Sequence, residues 1–356
     1  MSDREAMHRA IELAWRGWGR VGANPMVGAV VVRDGAVLGE GWHAEFGGPH
    51  AEALALAAAG ARARGADLVV SLEPCAHHGK TPPCVEAISA AGIKRVVFGA
   101  ADVDVRAKGG ARVLERAGVA VEGGLMADDV RAQNAAFFHR HGSSDRPFVA
   151  VKLAVSLDGR IADSARRSKW ITGDEARKWV HWLRAGFDAI GVAVGTVKAD
   201  DPRLTVRGDV VPGVPPLRVV FDTRAETPQH AELVATAPSV PTLALVAPGA
   251  DASRVEALRG LGVEIGEVAG LAAALRAHNA RGVSSLLIEG GGVLTGRLMA
   301  DGFVDRLFLM TGPVILGKNG VPAFGELAGT PLERASRWRT VGRKALGPDT
   351  LTVFDR

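Results

Sequence analysis

His50-Ala51-Glu52, followed by Pro74-Cys75-Ala76-His77-His78-Gly79-Lys80-Thr81-Pro82-Pro83-Cys84, is the stretch around which the rest of this chain is read. One histidine, two cysteines and one glutamate are the parts of a hydrolytic zinc site. Zinc takes nitrogen and sulfur ligands tetrahedrally, and a catalytic centre uses three protein ligands and keeps the fourth position for water. The metal lowers the pKa of that water to about 7. A carboxylate that is not a ligand then shuttles the proton, as in base deaminases built on His-x-Glu and a later Pro-Cys-x-x-Cys. His50-Ala51-Glu52 fits the first half of that pattern, whereas eight residues (76 to 83) separate Cys75 from Cys84 instead of two. A lone His-x-Glu is common on helix surfaces, and a cysteine can be a buried apolar residue. These are, however, the only two cysteines of the chain. His50, Cys75 and Cys84 are therefore expected to hold zinc, with Glu52 as the catalytic carboxylate.

The long spacer is itself informative. Pro-Cys-x-His-x-Gly-Lys-Thr-Pro-Pro-Cys, as it stands at 74–84, resembles the signature of the bifunctional deaminase/reductase family of riboflavin biosynthesis. Members of that family deaminate a diaminopyrimidinone ribosylamine phosphate and then reduce its ribose to ribitol with NADPH. The resemblance implies Zn2+ and NADPH as cofactors and a small phosphorylated pyrimidine as substrate.

Length and composition agree with two domains. A chain of 356 residues is long for one core. No signal peptide or run of 18 apolar residues stands out, so no membrane partner is expected. Two cysteines committed to a metal leave none for disulfides, which fits a reducing cytoplasm. The net charge of +4 is too small and too scattered to argue for nucleic acid. Tyrosine is absent, so no tyrosine serves as a general acid. A homo-oligomer, dimer or tetramer, is expected.

In the first domain, 1–145, Ser2-x-x-Glu5 reads as a capping box for an amphipathic helix over 3–16. Strands at 27–32 and 36–42 meet at Asp34-Gly35, a hairpin signal. An alanine-rich helix over 50–59 puts His50 and Glu52 in its first turn. An apolar strand over 67–72 delivers Cys75 just past its end. Pro83 suits the first turn of the next helix, placing Cys84 at a helix N-terminus, which favours a thiolate. A further strand over 94–100 gives alternating α/β layers. The resemblance implies a cytidine-deaminase-like three-layer α/β/α fold. It also implies substrate contacts for Asn24, His43 and Lys80, and leaves His77 and His78 off the metal. Asp102-Val-Asp104 lines up with a family Asp-Pro-Asn/Asp-Pro, but both prolines are valine here and the run that follows is one residue short.

A helix ending over 130–138 and the breaker-rich His139-Arg-His-Gly-Ser-Ser-Asp-Arg-Pro147 set the boundary near 145. In the second domain, 146–356, strands are expected at 148–155, 189–194, 217–222, 242–247 and 284–289. Helices are expected at 174–184, capped by Thr172, and near 253–260 and 271–279. Lys152-Leu-Ala154-Val-Ser-Leu-Asp-Gly-Arg160, Ser168-Lys-Trp170-Ile-Thr172-Gly and Gly195-Thr196 to Arg207 resemble the family's reductase, a dihydrofolate-reductase-like α/β domain. Leu286-Leu-Ile-Glu289-Gly-Gly-Gly292 is a strand, a glycine turn and a helix start, an arrangement that suits an anion. By resemblance, Ala154, Trp170, Thr196, Asp200, Asp222, Gly291, Gly292, Val293, Leu294, Thr295, Gly296 and Arg297 line the cofactor. Ser168, Arg184, Leu204, Arg207 and Glu289 meet the substrate, and the two arginines suit its phosphate as guanidinium forks. Lys152, which could orient the sugar, and Asp200 are the catalytic candidates of this half, with Asp200 or Glu289 as the proton relay. Ala165-Arg166-Arg167 replaces the family's usual Gly-Glu pair before Ser168 and adds positive charge.

Two other readings compete. An RNA or nucleoside deaminase with an unrelated fused domain is disfavoured by the long spacer, the modest charge and the second-half matches. A non-catalytic zinc scaffold is disfavoured by Glu52, because a closed structural site needs no proton shuttle.

Overall fold

In the computed structural model, Asp34 and Gly35 both take positive φ (51° and 78°) and close a hairpin between β1 (Gly28–Arg33) and β2 (Ala36–Trp42), in which Arg33 pairs with Ala36. Every residue from Met1 to Arg356 is described except Ser143, which belongs to the expected linker, and Glu326. The chain forms two compact units, Met1–Ser144 and Asp145–Arg356. Among the described residues, no helix is long and apolar enough to cross a membrane.

The first unit begins with α1 (Asp3–Ala14), closed by the expected Ser2/Glu5 capping box. After the hairpin come α2 (Ala51–Ala59), β3 (Asp67–Leu72), α3 (Cys84–Ala91), β4 (Arg95–Ala100), α4 (Gly110–Arg116) and β5 (Ala120–Gly123). Two short helices, α5 (Ala127–Gln133) and α6 (Ala135–Arg140), replace the single expected one. The break is at Asn134, whose amide bonds both the N–H and the carbonyl of Met26. The sheet order is β2-β1-β3-β4-β5, with β1 antiparallel to both neighbours and β3, β4 and β5 parallel. Side chains alternate across it. Val30, Val32, Val69 and Val97 face α1, whereas Ala29, Val31, Leu68, Val70 and Val96 share a core with α2 and α3. That period of two makes three layers, α/β/α. Gly39 and Gly41 let α2 lie flat on β2, because a Cβ at either would land on the α2 backbone at Ala51, Ala55 or Ala59. The approach fixes where the first turn of α2 points.

The second unit runs β6 (Phe148–Val155), β7 (Arg160–Ala162), α7 (Asp174–Ala185), β8 (Ala189–Ala193), α8 (Val194–Asp200), β9 (Leu217–Phe221), α9 (Glu232–Ala235), β10 (Thr242–Val246), α10 (Ala252–Gly260), β11 (Glu264–Glu267), α11 (Leu271–Ala280), β12 (Ser285–Glu289), α12 (Gly292–Ala300), β13 (Arg306–Thr311), β14 (Val321–Pro322), β15 (Arg339–Leu346) and β16 (Asp349–Asp355). Among the described residues, nine strands form one sheet in the order β11-β10-β9-β8-β12-β6-β13-β16-β15. The first seven are parallel, and the C-terminal β15–β16 hairpin is added antiparallel on β13. The residue capping α7 is Gly173, not Thr172. The Thr172 carbonyl instead accepts a bond from Arg177 Nη1 at 2.9 Å.

The strand order reverses around β8-β12-β6, so chain connections leave in opposite directions there. Open α/β sheets bind ligands in the crevice outside the carboxyl ends of strands at such a point. Lys152 and Ala154 on β6, Ala193 at the end of β8 and Glu289 at the end of β12 all line one cavity there.

Candidate active sites

His50 is the extended N-cap of α2, Glu52 lies in that helix's first turn, and Cys84 opens α3. Cys75 follows β3 after Glu73-Pro74. These elements bring His50 Nδ1 to 3.2 Å from Cys84 Sγ and 3.5 Å from Cys75 Sγ. All three ligand atoms lie within 4.8 Å of one another. Zinc–sulfur and zinc–nitrogen bonds of tetrahedral geometry require N···S edges of roughly 3.6 Å, so the triad fits zinc. His77 lines the same cavity without joining the triad, and His78 turns to Glu86 at 3.7 Å.

The first backbone N–H of α3, from Cys84, donates to Cys75 Sγ at 3.4 Å. Hydrogen bonds from Cys84 and His50 pull the Cys75 thiol well below its ordinary range, which suits it as a thiolate ligand. Glu52 is 4 % exposed, and burial pushes its carboxyl up from the ordinary value. Such a group holds a proton long enough to pass it on, which is what general acid–base work requires.

Asn24, His43, Glu52 and Lys80 line a cavity of about 500 Å³ together with His50 and Cys75. His43 Nδ1 lies 3.1 Å from the Pro49 carbonyl, which can only accept. The proton is therefore on Nδ1, and Nε2 accepts from Asn24 Nδ2 at 3.3 Å. Burial lowers the His43 pKa, which agrees with a neutral ring. The bond leaves Asn24 Oδ1 as the amide's acceptor. Lys80 Nζ sits 4.1 Å from the Phe46 ring centroid, so the spacer loop closes over an exposed aromatic side chain.

Sequence reasoning missed Glu73. Its carboxylate is buried and accepts three backbone N–H bonds, from Asp102, Gly109 and Ala111, at 3.1 Å each. It thereby pins both ends of the loop that lacks the family's prolines. Within that loop Asp104 takes a bidentate bond from Arg106, and Asp102, pushed up to about 6 by burial, lines the cavity. The available signal was a carboxylate at the end of an otherwise apolar strand.

The second cavity, about 690 Å³, is lined by Lys152, Ala154, Ser168, Trp170, Arg184, Thr196, Asp200, Leu204, Arg207, Glu289 and the glycine turn through Leu294. Gly290 and Gly291 take φ of 78° and 80°, and a Cβ on Gly291 would stand 3.2 Å from Thr196 Oγ1. Backbone and hydroxyl thus form a cradle at the N-terminus of α12, which suits a pyrophosphate. Trp170 is 70 % exposed, with the Arg177 guanidinium 4.2 Å from its ring centroid. These features fit a dinucleotide. Ser168 Oγ donates to Asp200 Oδ1 at 2.7 Å. Burial pushes the Lys152 ammonium down, with Glu289 and Asp200 opposing that shift and Arg184 adding to it. Arg166 reaches the cavity wall, whereas Arg167 turns back to Asp163.

Several of the expected residues are engaged within the protein or lie off the described cavity wall. Asp222 is buried and binds its own turn through Glu226 N, Thr227 N and Thr227 Oγ1. Thr295 and Gly296 are buried in α12 off the cavity wall, and Arg297 pairs with Asp301. The Arg184 fork, read as suited to phosphate, is already engaged. Nε and Nη2 donate to Glu289 at 2.5 and 2.9 Å, and Nη1 donates to the Thr205 carbonyl at 2.9 Å. Arg207 is exposed on the cavity wall.

Comparison with known proteins places both units. Residues 1–100 match the cytidine and deoxycytidylate deaminase zinc-binding region, and residues 147–352 match the RibD C-terminal domain. The chain is 36 % identical to riboflavin biosynthesis protein RibD of Aquifex aeolicus, over 99 % of this chain and 98 % of that one. It is 37 % identical to the Escherichia coli protein of the same name, over 96 % and 97 %. Among solved structures, RibD of Acinetobacter baumannii superposes with a TM-score of 0.84 at 34 % identity, covering 99 % of this chain and 98 % of that one. A diaminohydroxyphosphoribosylaminopyrimidine deaminase/5-amino-6-(5-phosphoribosylamino)uracil reductase from Thermotoga maritima gives 0.83 at 34 % identity and the same coverage.

Proposed function

This chain belongs to the RibD family of riboflavin biosynthesis, and we propose that Met1–Ser144 houses its deaminase and Asp145–Arg356 its reductase. It is a bifunctional enzyme with zinc-dependent deaminase and NADPH-dependent reductase activities. The substrate is 2,5-diamino-6-ribosylamino-4(3H)-pyrimidinone 5′-phosphate, and the deaminated product is then reduced from ribosyl to ribityl. The observation that carries this reading is the convergence of His50, Cys75 and Cys84, with His50, Cys75 and the buried Glu52 lining one cavity. A homo-oligomer in the cytoplasm completes the proposal. The placement of both cysteines in the zinc triad supports a reducing compartment.

In the deaminase, His50, Cys75 and Cys84 would hold the metal. Bound zinc supplies the Lewis acidity that makes water a usable nucleophile at neutral pH. The Glu52 carboxylate takes a proton from that water and hands it to the departing amino group. Water and the C–NH2 bond are consumed, and a carbonyl and ammonia are left. Asn24, held by His43, orients the pyrimidine through Oδ1.

In the reductase, the glycine turn and Trp170 hold the cofactor, and NADPH supplies the hydride. With that cofactor bound, its hydride would reduce C1′ of the open-chain imine, and the chain would supply the proton the nitrogen gains. Lys152, acidified by burial, is placed to give that proton, with Asp200 beside it as relay. Given the already deaminated ribosylaminouracil phosphate, the enzyme is expected to oxidise NADPH without releasing ammonia, and at higher kcat/KM than with NADH. Equal efficiency with both nucleotides would contradict the cofactor preference, and no oxidation would contradict the reductase assignment.

A further inference from the structure

Leu204 is buried at 2 % exposure and sits at φ 51°, a left-handed conformation costly for a side chain with a Cβ. Strain of that kind persists only where the surroundings hold it. The anchors on the N-terminal side are clear. Asp201 Oδ1 accepts from Glu232 N at 2.8 Å, Arg203 pairs with Glu232, and the Arg203 carbonyl accepts from Arg218 at 3.3 Å. On the C-terminal side, two donors from one helix converge on one atom. His181 Nδ1 and Arg184 Nη1, one turn apart on α7, lie 3.2 and 2.9 Å from the Thr205 carbonyl. A carbonyl only accepts, so His181 carries its proton on Nδ1. Leu204 lies between these two sets of anchors, and Arg207 follows two residues after Thr205 on the cavity wall.

We propose that His181 is a positioning residue of the reductase. With Arg184 it fixes the Thr205 carbonyl, and so holds Leu204 and Arg207 where they meet the sugar-phosphate end of the substrate. Arg184 spends the rest of its fork on Glu289, so of the two arginines read as phosphate contacts Arg207 is the one left to face it. His181 supplies the second tether of the segment that carries it. This inference rests on the reductase reading of the second unit.

The test uses the full-length, zinc-loaded enzyme, the deaminated ribosylaminouracil phosphate and NADPH. His181→Leu removes the donor and keeps apolar bulk. His181→Asn puts an amide nitrogen near the place of Nδ1. For the leucine variant, KM for the sugar phosphate is expected to rise roughly fivefold to tenfold, the loss of one net hydrogen bond. Expected kcat stays within about twofold, as an effect on uniform binding requires, with KM for NADPH and ammonia release unchanged. Asparagine is expected to restore most of the loss. With the dephosphorylated substrate, the wild type and His181→Leu are expected to converge, because Arg207 then has no phosphate to meet. His181→Ala, which also removes the donor, replaces the leucine variant should that one not fold. An unchanged KM, an asparagine variant as poor as leucine, or an equal penalty on the dephosphorylated substrate would overturn the proposal. A wild-type enzyme inactive on this substrate would overturn the reductase reading instead.

Discussion

Glu52→Gln is expected to abolish ammonia release while leaving zinc content and NADPH oxidation intact. Glutamine keeps the shape of the side chain and removes the base. Loss of one general acid–base group costs ~10²–10⁴-fold. Zinc should remain, because the metal triad is His50, Cys75 and Cys84 and Glu52 is outside it. The reductase should remain, because all of its proposed residues lie at or after Lys152, in the other compact unit. The mirror image is expected of Lys152→Ala or Asp200→Ala, with ammonia released and NADPH consumption impaired. The measurement is ammonia and NADPH followed separately, each variant given both the diaminopyrimidinone phosphate and its deaminated product. A folded, zinc-loaded Glu52→Gln enzyme that lost both activities would refute the two-site account.

Cys75→Ala is expected to take the zinc content from one per chain to near zero and to end deamination with it. The effect should reach stability as well as chemistry. Cys75 and Cys84 are 7 % and 2 % exposed and belong to the main core of the first unit, so the metal ties together the end of β3 and the start of α3 inside that core. A ligand bound only by the folded state, at a thousandfold above its Kd, adds about 4 kcal/mol. For a unit of this size that is a shift of roughly 13 °C in Tm. Elemental analysis and a melting curve decide the matter. Zinc retained at full stoichiometry in the variant would remove Cys75 from the ligand set.

Much of this arrangement was legible in the sequence because it is local. Asp34-Gly35 dictates a tight turn, and the apolar run at 67–72 can only be a buried strand. His50 and Glu52 sit together at the start of one helix, and a proline next to Cys84 marks another helix start. The parts that were not legible depend on partners far along the chain. Nothing near Arg184 announces that Glu289, 105 residues away, occupies its guanidinium. Glu73 gains its role only when the fold brings Gly109 and Ala111 to it. Asp222 is read as a cofactor contact by resemblance, and nothing near it in sequence shows that the turn after it gives its carboxylate three bonds. The β15–β16 hairpin went unread because β15 is largely exposed and lacks a clean apolar alternation.

The central claim is two consecutive reactions on one small-molecule substrate. It is tested most directly by giving the zinc-loaded wild-type enzyme the diaminopyrimidinone ribosylamine phosphate together with NADPH, and timing ammonia against NADPH loss. The account predicts one ammonia and one NADPH per substrate, with ammonia leading and no NADPH consumed until deamination has begun. Ammonia released from a nucleoside or RNA while the pyrimidinone phosphate stays inert, or NADPH oxidised with no ammonia formed, would contradict it.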